Sequence, residues 1–172
     1  MSKVRNLIGY NNRGSSLLLD ENSTEHYEEW KNQHPGEVVF GPIIKYIWQA
    51  DNRNHELQTP RNDGLWILPD ASGFLLCENV KRSDNLLLLD AYGKERMRLD
   101  VPWRMTGATE PECGQYPTGF IGPTTPYPNP ATGEEGKFGA KAYVEGFYGL
   151  AFYFELDYHT GEFLWCYRLE RG

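Results

Sequence analysis

Between residues 38 and 101 the chain is a succession of short apolar runs, each closed off by turn-forming residues, and that spacing leaves no room for long helices. Segment 38–48 reads Val-Val-Phe-Gly-Pro-Ile-Ile-Lys-Tyr-Ile-Trp, rich in the β-branched and aromatic residues that suit a pleated surface. Its Gly41-Pro42 break predicts two short strands, or one strand bent at an edge. Runs at 65–68, 74–80, 86–90 and 96–101 follow at close spacing. Further on, 148–158 and 162–169 flank His159-Thr160-Gly161, which reads as a hairpin with glycine in a left-handed position. Short strands with little helix between them favour an antiparallel sheet folded on itself. The expected architecture is therefore mainly β: a single antiparallel β-sandwich or open barrel-like domain over residues 1–172.

One helix interrupts this pattern. Asn22 followed by Glu25 is a capping-box-like start, and early acidic residues suit the positive end of a helix dipole. Tyr27 and Trp30 would share a face, and His34-Pro35-Gly36 ends the helix. Segment 107–139 has seven Gly and six Pro with no sustained periodicity, so it reads as a long irregular loop. Tyr116, Phe120, Ile121, Tyr127 and Phe138 are interleaved there, which suits either a semi-rigid binding loop or a cover over one end of the sheet.

The turns Asp70 to Gly73, Asp90 to Gly93 and Asp157 to Gly161 resemble the turns within β-propeller blades, in which an Asp precedes a Gly that reverses the chain. Their aspartates lie about 20 and 67 positions apart, so they are read as tight hairpins rather than as a repeat.

Charge and motif content narrow the function. Seventeen Lys and Arg against 24 Asp and Glu give a net charge of −7, a sign that repels phosphate backbones, so no nucleic-acid partner is expected. Lys81-Arg82 falls in a turn, and Lys94, Arg96 and Arg98 alternate with Glu95 and Asp100 like a solvated strand face. Cys77, Cys113 and Cys166 are an odd count without C-x-x-C spacing, which gives neither a disulfide framework nor a zinc knuckle. His26, His34, His55 and His159 show no metal-ligand spacing, and G-x-S-x-G and the glycine-rich phosphate loops are absent, so no metal or cofactor is expected. No apolar run approaches the roughly 20 residues that cross a bilayer, and the first residues lack the apolar stretch of a secretion signal. The expected address is the cytoplasm, with no membrane partner.

Two features could carry function. Glu155 and Asp157 alternate on a strand beside Phe152, Tyr153, Phe154 and Trp165, as a paired-carboxylate glycosidase would require; the other reading is the solvent face of that strand. The second is the helix. Asp20, Glu21, Glu25, Glu28 and Glu29 place five carboxylates in ten residues with no cation before Lys31. Complementary charge speeds encounter and aromatic residues dominate interface hot spots. The expected function is a non-enzymatic acidic protein that binds a basic partner, as bacterial inhibitors of the immunity type bind toxin nucleases. Glu21, Glu25, Glu28, Glu29 and Trp30 would make the primary contact, and Tyr116, Phe120 and Tyr127 a secondary one. The alternative is a carbohydrate-binding or glycoside-cleaving β-sandwich, favoured by exposed rings in a groove and disfavoured by burial of Trp48, Trp66, Trp103 and Trp165.

Overall fold

The computed structural model describes residues 2–37, 39–107, 119–124, 128–129, 131–134, 137–144 and 150–169. Among them are three four-stranded antiparallel sheets and one α-helix, so the mainly β antiparallel class holds. The N-terminal sheet contains β1 (Arg5–Asn11), β2 (Ser16–Leu18), β3 (Ile43–Ala50) and β4 (Arg53–Gln58), in the order β2-β1-β3-β4. Helix α1 (Ser23–Gln33) leaves between β2 and β3. The middle sheet runs in sequence through β5 (Gly64–Ile67), β6 (Gly73–Cys77), β7 (Leu86–Asp90) and β8 (Glu95–Leu99). The C-terminal sheet does the same through β9 (Gly119–Thr124), β10 (Gly139–Val144), β11 (Leu150–Asp157) and β12 (Glu162–Leu169).

The residues of β6 and β7 explain how the sheets stack. A strand with one covered face alternates apolar and polar, whereas Gly-Phe-Leu-Leu-Cys and Leu-Leu-Leu-Leu are apolar throughout. Both faces are in fact covered. Leu75, Cys77, Leu86 and Leu88 join Phe120, Ala140, Ala142, Phe152 and Phe154 in one core. Phe74, Leu76, Leu87 and Leu89 join Leu7, Tyr46, Trp48 and Ala50 in the other. The molecule is thus a three-layer β stack, two sandwich interfaces sharing the middle sheet.

Strand β3 alternates, with Tyr46, Trp48 and Ala50 inward, whereas β11 turns Phe152, Phe154 and Leu156 toward the middle sheet and buries Tyr153 and Glu155 on its other face as well. The β3–β4 hairpin turns on Asp51 and Asn52 at φ 53° and 58°, the paired left-handed conformation of a two-residue hairpin turn. The three Asp-to-Gly turns share one mechanism. Asp70 accepts the amide of Ser72, Asp90 those of Tyr92 and Lys94, and Asp157 those of His159 and Thr160.

Two expectations are corrected. Helix α1 begins where expected, with Asn22 at the N-cap, but no capping box forms. Asn22 sits at φ −100°, ψ 22°, outside the extended region that aims a cap side chain at the helix amides, and Asp20 instead accepts the amide of Asn22 at 2.8 Å. The irregular loop at 107–139 contains strand β9. Pro123 is tolerated there because β9 is an edge strand, where a missing N–H costs the ladder nothing on the open side.

Candidate functional site

Helix α1 docks through one side chain. Trp30 is 5% exposed, stacks on His34 at 4.9 Å between ring centroids and meets Phe40 edge-on at 5.1 Å. The His34 Nδ1 lies 2.8 Å from the Trp30 carbonyl and closes the last turn. Arg13 fixes the segment that follows by donating to the carbonyls of Val39 and Phe40. Burying Trp30 turns the opposite side of the helix outward.

That outward side carries the acids. Glu25, Glu28 and Glu29 sit at i, i+3 and i+4 of α1, Glu21 precedes it, and all four are exposed. None makes an ion pair among the described residues. The expected primary contact is thus split: four glutamates share an open surface, whereas Trp30 is a docking residue of the helix and presents no ring to a partner. Phe120 is likewise corrected, being 3% exposed and part of the core between the middle and C-terminal sheets. Tyr116 and Tyr127 lie outside the described residues, as does Cys113.

A groove of about 870 Å³ continues from Glu21. Its walls are Leu18, Leu19 and Ile43 from the N-terminal sheet and its connections, and Trp66 and Ile67 from β5. Asp20, Glu21 and Arg5 bring charge to its lining. A second groove, about 640 Å³, lies on the far side of Trp66, between the middle and C-terminal sheets. Trp66 (37% exposed), Ile121 (49%) and Tyr143 (41%) line it, with Asn62, Asn79 and Lys81. The indole of Trp66 lies against Gly64 and Gly122, where any Cβ would collide with it. Sequence reasoning missed this ring's setting, since one side of the slot is Gly122, distant in the chain.

Beside the second groove, Glu78 collects three cations. Its carboxylate meets Arg98 at 2.5 Å, Arg61 at 3.1 Å and Arg82 at 3.4 Å. Burial opposes ionisation there, but the bonds from Arg98 and Arg61 outweigh it and hold the carboxyl below its ordinary value. A folded-state value below the unfolded one stabilises the protein above the ordinary glutamate range, and that contribution is lost as pH falls through the folded value. Stability is therefore expected to decline from about pH 4.3 downward, and Glu78→Gln should flatten that decline in urea unfolding followed against pH. An unchanged pH profile in the variant would show that Glu78 has no part in it. The basic residues of β8 are similarly occupied, since Arg96 donates to the carbonyls of Tyr158 and His159.

The remaining candidates are held in structural bonds. Glu155 is buried and accepts the Lys137 amide at 2.9 Å, while Asp157 caps its turn, so the two share a strand face without forming an acid and base around a common space. Trp48 is buried, Trp103 and Trp165 are half-buried, and Trp66 is open. Burial pushes the Cys77 thiol up to about 12, which keeps it protonated and unreactive. Among the described residues no group of three or more His, Cys, Asp or Glu is placed to hold a metal ion. Nor is any described helix long and apolar enough to cross a membrane.

No family model matches the chain, and no curated protein matches it. A chain from the solved structure of Tne2 in complex with Tni2 is similar to it, with a TM-score of 0.62 over 97% of this chain and 99% of that one. Identity is 11%, so the likeness is one of fold.

Proposed function

We propose that this protein is a non-enzymatic acidic binding protein that engages a basic protein partner in the cytoplasm, as an inhibitor or immunity-type protein does with a toxin nuclease. One observation carries the reading. Glu21, Glu25, Glu28 and Glu29 form an exposed acidic face to which no described residue supplies a cation. Neighbouring like charges on a helix repel by a few tenths of a kcal/mol per pair, a cost that a basic partner would remove. Such a face steers oppositely charged partners and repels acidic ones and nucleic acids. The neighbouring fold supports the reading in a general way, because it comes from a structure of two proteins in complex.

The test is capture from native lysate on the immobilised full chain at low and high salt, with mass spectrometry of what is bound. The expected result is a stoichiometric basic protein, released by salt and not retained by a variant with all four glutamates changed to lysine. Equal capture by the variant would refute the reading. The second groove favours one other reading, since Trp66 and Tyr143 expose rings beside Asn62 and Asn79 as sugar-binding grooves do. A chain that captures no protein would redirect attention there, to carbohydrate recognition.

A further inference from the structure

We infer that the groove beneath Glu21 receives an apolar anchor side chain of the same basic partner, one flanked in the partner's sequence by lysine or arginine. The inference rests on the reading above and adds where that partner's contact is centred. Three observations carry it. The groove's volume, about 870 Å³, falls within the range of pockets that enclose a bulky group. Its walls are apolar and open: Leu18 and Leu19 are only half-buried, Trp66 is exposed, and the edges of β2 and β5 that border it pair with no further strand among the described residues.

Its charge is also one-sided towards the helix. Asp20 and Glu21 line the groove and immediately precede the helix that carries Glu25, Glu28 and Glu29, so the groove adjoins the acidic face. The Asp20 carboxylate lies 3.1 Å from the His26 imidazole, whereas Glu21 has no ion pair among the described residues. A fully desolvated anchor ringed by polar contacts is the usual energetic centre of an interface, and acids on the rim select basic flanks. Arg5, also in the lining, repels the same flanks.

The test uses the 15N-labelled full chain and the probe peptide acetyl-Gly-Lys-Trp-Lys-Gly-amide, followed by amide and indole chemical shifts. The expected result is saturable shifts at Leu18, Leu19, Ile67 and the Trp66 indole. Alanine in place of the probe's tryptophan, or glutamate in place of its lysines, should abolish them. Glu21→Lys should weaken binding about threefold and Arg5→Glu should strengthen it about threefold, the size of one exposed charge interaction. Both are surface changes that leave the core intact. Shifts confined to Glu25, Glu28 and Glu29, or equal binding of the alanine peptide, would overturn the groove while leaving the acidic-face reading in place. Absence of any shift, or self-association of the chain through the groove on sizing, would overturn it too. Failure of the acidic face is read separately, by equal lysate capture after reversal of Glu25, Glu28 and Glu29, which lie outside the groove.

Discussion

Asn85→Ala is expected to destabilise the protein by about 3 kcal/mol, more than its single side-chain amide suggests. Asn85 is almost fully buried at the end of the middle sheet. It donates to the Phe120 carbonyl at 2.8 Å and accepts the Phe120 amide at 2.8 Å, so the side chain pairs with β9 as a neighbouring strand's peptide would. It also donates to the Glu78 carbonyl at 3.0 Å. Truncation leaves the Phe120 amide buried without a partner and the carbonyl with only the weak Cys77 thiol donor at 3.2 Å. Each orphaned backbone group costs roughly 1–3 kcal/mol. Asn85→Asp should not rescue, because it keeps the acceptor, loses both donors and buries a charge. Urea unfolding measures the effect; a loss below about 1 kcal/mol would mean that β9 is held on the middle sheet by packing alone.

The second large effect is expected at Trp48. Its indole is 1% exposed, donates to the Ala91 carbonyl at 2.8 Å and meets Phe74 edge-on at 4.7 Å. It also fills the space beside Gly93, where φ is 81° and a Cβ would lie 2.9 Å from the ring. Trp48→Ala opens a cavity between the N-terminal and middle sheets and should cost about 3–5 kcal/mol. Trp48→Phe should cost less, since it keeps most of the ring and loses the hydrogen bond. Chemical denaturation of both variants checks the order; an alanine variant as stable as the phenylalanine one would contradict this packing.

The class of fold was legible because it depends on local chemistry. Runs such as Leu86 to Leu89, the hairpin at Gly161 and the stop at His34-Pro35-Gly36 each specify their structure within a few residues. What escaped depends on pairing partners rather than on the residues' own pattern. β4, Arg-Asn-His-Glu-Leu-Gln, looks like a loop because its apolar content is small, and it is a strand because β3 pairs with it across a tight turn. β9 was hidden by Gly122 and Pro123, which only an edge position makes compatible with a ladder. The continuous apolar runs of β6 and β7 belong to a sheet covered on both faces, which the reading of a single sandwich or barrel left out of account.

The candidate site divides along the same line. Acids at helical spacing are visible in a sequence, and the exposure of Glu25, Glu28 and Glu29 follows from which side of α1 must be buried. Whether an aromatic residue faces a partner or the core is decided by tertiary packing, and Trp30 and Phe120 face the core. The groove beneath Glu21 is assembled from β2, β5 and their connections, so no local pattern could announce it.

The most direct test of the account is calorimetry of the captured basic partner against the intact chain and the variant with Glu21, Glu25, Glu28 and Glu29 all changed to lysine. Circular dichroism would verify that α1 persists. The account predicts a loss of about tenfold to a hundredfold in affinity, shrinking as salt is raised, because exposed charge interactions are individually modest and are screened beyond about 8–10 Å. An unchanged affinity in a folded variant would contradict it.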